Sequence, residues 1–139
     1  MNTVVDSSVI AKWYLIDEEQ IEEALKLRQL HIENKATISA PEFLLLEIGN
    51  IFVTRKLEQK DFDENIDGLL DVQIKFTSPD SSILKNTFRY ARLFHLSFYD
   101  ATYIALAKSL KCDFITADKK LVKATKTLKF VKLLSKSNN

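Results

Sequence analysis

Apolar residues along the chain follow two rhythms: short unbroken runs, and longer stretches recurring every three to four positions. The runs at 3–5, 37–40, 75–77, 112–116 and 130–134 predict strands. Helical spacing between them predicts helices over 7–15, 17–32, 42–57, 61–74, 82–94, 99–110 and 119–126. Pro41 stands where the first position of a helix is expected, and Ser78-Pro79-Asp80-Ser81 is turn chemistry. Ala101, Ile104, Ala105 and Ala107 give one helix a small-residue face for close packing. Strands that alternate with helices imply a mostly parallel sheet covered on both faces. The expected fold is therefore a three-layer α/β/α sandwich, with residues 1–139 as one domain.

Composition narrows the function. At 46% hydrophobic and 28% charged residues the chain has the make-up of an ordinary soluble domain, with no apolar stretch of membrane-spanning length. No basic region followed by an apolar run opens it, so no signal peptide is expected. Cys112 is the single cysteine, which excludes an internal disulfide framework and fits a reducing, cytoplasmic setting. His31 and His95 fall in separate helical patterns and read as surface or packing residues. The two glycines, Gly49 and Gly68, lie inside helical patterns, so no glycine-rich loop is available to cradle a phosphate. A net charge of +1 hides seven lysines and no acid from Lys119 onward. That stretch suits either a phosphate backbone or plain solvation.

Four acids sit in pointed positions. Asp6 ends the run Thr3-Val4-Val5 and precedes Ser7-Ser8, where a strand turns into a helix. It either N-caps that helix or lines the crevice past the carboxyl ends of the strands. Glu47 lies well inside a helix, with Phe43 one turn before it and Ile51 one turn after. A carboxylate there needs a cation, a metal or a shifted pKa, unless the face is simply exposed. Asn50 is placed to orient that carboxylate or a water, and Gly49 to admit a close neighbour. Asp100 follows Ser97 at capping-box spacing, and Asp118 precedes a helix as an N-cap would.

Each acid except Glu47 thus has an adequate structural explanation. Gathered at one sheet edge, however, four carboxylates repel one another unless a multivalent cation is bound. An oxygen-only donor set without histidine or cysteine suits Mg²⁺ or Mn²⁺ and disfavours zinc. Such ions serve phosphate substrates, and a pair of them clamps both oxygens of a phosphodiester displacement. Ser7 and Thr116 add hydroxyls that would position a water or phosphate oxygen, or cap backbone locally.

Four blocks carry a family likeness: Val-Val-Asp-Ser-Ser, Pro-Glu-Phe-Leu-Leu-Leu-Glu-Ile-Gly-Asn, Tyr-Asp-Ala-Thr-Tyr-Ile-Ala-Leu-Ala and Phe-Ile-Thr-Ala-Asp-Lys-Lys-Leu. In this order and spacing they resemble the PIN domain, and the short length is most similar to VapC-type toxins of toxin–antitoxin pairs. The resemblance implies a Mg²⁺- or Mn²⁺-dependent ribonuclease. It makes Asp6 and Asp100 the main ligands, with Glu47 and Asp118 completing a second metal position or holding ligating waters. Thr116 matches the hydroxyl residue that often precedes the last acid. The resemblance further implies a homodimer and inhibition by a small antitoxin. Single-stranded or looped RNA is the expected substrate, with Trp13, Tyr99 and the late lysines available for stacking and backbone charge.

Other readings share the acids. The fold would also serve a catalytically silent metal- or RNA-binding regulatory module, or a housekeeping RNA-processing nuclease. A phosphatase with Asp6 as nucleophile is weakened by Ser8, which stands where a second acid would act as general acid.

Overall fold

A computed structural model describes residues 1–136. Five strands form one sheet in the order β3-β2-β1-β4-β5, every neighbouring pair parallel. They are β1 (Asn2–Val5), β2 (Thr37–Pro41), β3 (Lys75–Thr77), β4 (Asp113–Thr116) and β5 (Val131–Leu133). Helices around the sheet complete the expected α/β/α sandwich: α1 (Ser7–Ile10), α2 (Ile21–Ile32), α3 (Leu44–Thr54), α4 (Gln59–Asp71), α5 (Ser81–Phe94), α6 (Phe98–Leu110) and α7 (Lys119–Ala124).

Two parallel strands need a crossover between them, and the first crossover leaves β1 for β2 on one side. The chain later returns to β4 on the other side, pairing Val5 with Ile115. The carboxyl ends of β1 and β4 therefore meet where the strand order reverses, the place at which such sheets bind ligands. Val4, Val5, Ile38 and Phe114 are at most 1% exposed, and each contributes about 1.5–3 kcal/mol of burial. Over the sheet lies α6, packed on β1, β2 and β4 and covered in turn by α5. Residues 101–107 of α6 are buried on every side, and the alanines among them allow that close approach.

The structure departs from the expected elements at several ends. Pro41 closes β2, opposite Thr77, and does not open α3. Proline pushes the residue before it toward extended backbone, so Ala40 and Pro41 continue the strand. Residues 17–20 form no helical turn. Arg55, at the end of α3, holds Asp17 and Glu18. Lys12 Nζ donates to the Glu19 carbonyl at 2.6 Å, and the Gln20 amide to that of Leu134 at 2.9 Å. Helix α4 starts two residues before Asp61 and ends at Asp71, where left-handed Gln73 (φ 59°) turns the chain toward β3.

His31 is a packing residue as expected. Its Nδ1 accepts the Ile38 amide at 2.9 Å, which leaves Nε2 to donate to the carbonyl of Val72 at 3.0 Å. Trp13 is buried too, 7% exposed, with its indole N–H on the Ala24 carbonyl at 2.8 Å. It is therefore a core residue and offers no stacking surface. Among the described residues no helix is long and apolar enough to cross a membrane.

Asp80 caps α5 by accepting the Ile83 amide at 2.8 Å. Asp80→Ala is expected to cost about 1 kcal/mol, read as a lower urea midpoint at unchanged slope. An unchanged midpoint would mean that packing alone holds the helix.

Candidate active site

Asp6 leaves β1 and immediately caps α1. Its Oδ1 accepts the Ser8 amide at 3.1 Å and the Ser8 hydroxyl at 2.5 Å, and its Oδ2 accepts the Thr116 hydroxyl at 2.6 Å. Both hydroxyls are themselves held from β4's end: Ser8 Oγ accepts from the Ala117 amide at 2.9 Å, Thr116 Oγ1 from that of Asp118 at 3.1 Å. A single carboxylate thus fastens the ends of β1 and β4 together. Thr116 stands beside Asp6 as expected, but spends its proton on the carboxylate. Ser8, not singled out from sequence as a partner of Asp6, performs this clasp. The signal was present, since an N-capping acid bonds the residue two positions on. Ser7 instead lies beside Glu47, whose carboxyl its hydroxyl helps to lower.

Glu47 is half-buried on α3 and accepts a hydrogen bond from the Tyr103 hydroxyl at 2.5 Å. Tyr103 was not singled out from sequence. Its spacing of three from Asp100 puts both on one face of α6, and it is the one large polar residue in a run of small ones. Asn50 is exposed and forms no hydrogen bond to Glu47; the orienting contact comes from Tyr103. No other segment of the chain approaches Gly49, since nothing lies within 4 Å of where its Cβ would be. Asp100, in the first turn of α6, donates its amide to Ser97 Oγ at 3.0 Å, so half of the expected capping box is formed. Asp118 caps α7, its Oδ1 accepting the amides of Lys120 at 3.0 Å and Leu121 at 3.1 Å.

A PIN domain family model matches residues 3–126. The chain belongs to the PIN domain family. This PIN domain is similar in structure to PAE2754 from Pyrobaculum aerophilum, with TM-score 0.68 and 20% identity over 96% of this chain and 84% of that one. It is also similar to Mycobacterium tuberculosis VapC20, a sarcin-ricin loop cleaving toxin, with TM-score 0.69 and 15% identity over 93% and 96% of the two chains. No curated protein matches the sequence significantly. Membership in the family supports a nuclease.

The charges of the four acids in this PIN domain act on one another in a chain. Burial pushes the Asp6 carboxyl up to about 6; hydrogen bonds from Ser8, Thr116 and the Val9 backbone pull it down, and Glu47 pushes it up. Glu47 is raised by burial, lowered by Tyr103 and raised by Asp100. Asp100 is raised by burial and by Asp118. Burial and the charges of Glu47, Asp6 and Asp100 keep the Tyr103 phenol protonated, so it serves only as donor. None of the four acids enters an ion pair among the described residues.

No three His, Cys, Asp or Glu side chains among the described residues converge tightly enough to ligate an ion by themselves. The donor set nevertheless fits a hard cation held partly through water, the usual manner of Mg²⁺. It is all oxygen, crowded with like charge and engaged in no ion pair among the described residues.

A raised Asp6 pKa means that, between about pH 4 and 6, the folded chain keeps a proton the unfolded chain has lost. Stability without metal therefore falls as pH rises through that window and stays lowered above it, by on the order of 3 kcal/mol. Thermal melts in EDTA should show Asp6→Asn with a flatter pH profile and the higher stability at pH 7; parallel profiles would contradict this. Tyr103→Phe removes a bond that lowers Glu47, so a carboxyl NMR titration should place Glu47 higher than in the parent chain. A Glu47 titration left where it was would show that the bond contributes little.

Proposed function

We propose that this PIN domain is a Mg²⁺- or Mn²⁺-dependent endoribonuclease and the toxin of a VapBC-type pair. The observation that carries the reading is four mutually repelling carboxylates, unpaired with any cation, at the switch point of a parallel sheet. Asp6 and Asp100 would hold the ion as main ligands, with Glu47 and Asp118 on a second position or on ligating waters. When bound, the metal supplies charge stabilisation to the phosphodiester and acidifies the attacking water.

The chain's own residues prepare for this. Ser8 and Thr116 fix both oxygens of Asp6 in place. Tyr103 holds Oε1 of Glu47 and the α7 amides hold Oδ1 of Asp118, which fixes how each carboxylate lies. Exposed Lys119 and Lys120 flank Asp118 and suit an RNA backbone, whereas Lys132 is engaged with Asp113 at 2.8 Å.

The toxin assignment leans on the likeness to VapC20, itself a sarcin-ricin loop cleaving toxin. It brings a small antitoxin as partner, RNA as substrate and the cytoplasm as setting. A homodimer is supported by Leu84 and Phe88, 42% and 49% exposed one turn apart on α5.

The purified chain is expected to cut a mixed RNA pool with Mg²⁺ or Mn²⁺ and to stop in EDTA. Asp6→Asn and Asp100→Asn should each cost more than the roughly ten- to hundredfold that losing an outer contact costs. Cutting that survives EDTA and both substitutions would refute the assignment. A folded chain that binds RNA without cutting it would favour a silent binding module.

A further inference from the structure

Beside the acids lies a cavity of about 490 Å³ with a mixed lining. Phe43, Leu46, Ile51 and Tyr99 make up its apolar lining, and Ser7, Glu47 and Asn50 its polar lining. Tyr99 is 60% exposed and Leu46 77%, a costly way to leave large apolar groups next to a charged site. Yet the Tyr99 ring is not loose. It meets Phe43 edge to face at 5.2 Å and 78°, and Phe43 meets Tyr103 in the same way at 5.3 Å and 82°. Tyr103 lies flat on Phe114 of β4 at 5.5 Å and 8°, with its hydroxyl on Glu47. A string of rings therefore runs from the sheet to the surface and holds the exposed one in place. Tyr99 also immediately precedes Asp100 in the chain.

We propose that this cavity is a base-binding subsite, in which an unpaired nucleobase stacks on Tyr99 with its edge toward the Asn50 amide. The proposal rests on the ribonuclease reading and adds to it the conformation of the substrate. Three observations favour a base over other occupants. A base combines a flat π face with N–H and C=O groups at its rim, matching a lining that joins aromatic rings to an amide and a hydroxyl. Glu47 repels phosphates and acidic side chains from the cavity itself. The cavity is also continuous with the acids through Ser7 and Glu47, so a base seated there carries its own phosphate toward them. Because the ring is already held, binding orders little that was free. Only a base with an uncovered face can stack, so the substrate strand must be single, looped or flipped at this nucleotide.

The test is direct binding of short single-stranded RNAs to the full chain in EDTA, where cleavage is absent. Abasic sites are stepped through the RNA one at a time. The parent chain should lose on the order of tenfold in affinity at one position and little elsewhere. Tyr99→Ala should show the same loss with intact RNA and no further loss with that abasic RNA. Tyr99→Trp, which keeps a stacking face, should restore the positional sensitivity. Losses that add independently, or RNA binding indifferent to Tyr99→Ala, would overturn the subsite and leave this face to a protein partner. Absence of RNA binding by the parent chain, with or without Mg²⁺, would instead overturn the ribonuclease reading beneath it.

Discussion

Like charges brought together at the end of a sheet repel, and the local structure is organised around holding them there regardless. Each of three acids has its position fixed by hydrogen bonds that also serve the fold. Asp6 caps α1 and joins β1 to β4, Asp118 caps α7, and Asp100 is seated by Ser97 at the start of α6. Glu47 lacks a backbone role and is held by the Tyr103 hydroxyl from the neighbouring helix. Neutral donors are well suited to this, because a lysine or arginine in the same place would neutralise the charge that the proposed cation would meet.

The same economy extends to the rings. Tyr103 is at once a core residue stacked on β4, the partner of Glu47, and the support of Phe43. One buried side chain therefore links sheet packing, carboxylate orientation and the exposed aromatic at the rim. That arrangement is possible because alanines surround Tyr103 on α6 and let the helix settle close to the strands.

Much of this was legible in the chain itself. Runs of Val, Ile and Phe between helical stretches announce a parallel sheet, and an acid directly after such a run announces its functional end. What escaped reading depends on contacts between distant segments. Pro41 reads as a helix opener until β3 is beside it, and Asp17 reads as a helix start until Arg55 draws it away. Ser7 and Ser8 are chemically identical neighbours, and the bond that ties Ser8 to β4 comes from the Ala117 amide, 109 residues away. Tyr103 was hidden because its partner lies 56 residues away. Local propensity and spacing reach about one turn, whereas these choices are made across the sheet.

Asparagine can take over the cap that aspartate provides at Asp6 and Asp118, since a cap needs an oxygen and no charge, although at Asp6 the Thr116 hydroxyl would have to turn from donor to acceptor. On the proposed assignment, the genetic distance from a working site to an inert one is a single conservative exchange that the fold does little to oppose. Under that assignment, copies silenced by such an exchange would keep the fold. Abundance and integrity would then be poor proxies for activity, and surveillance that recognises misfolding would leave the silenced form untouched.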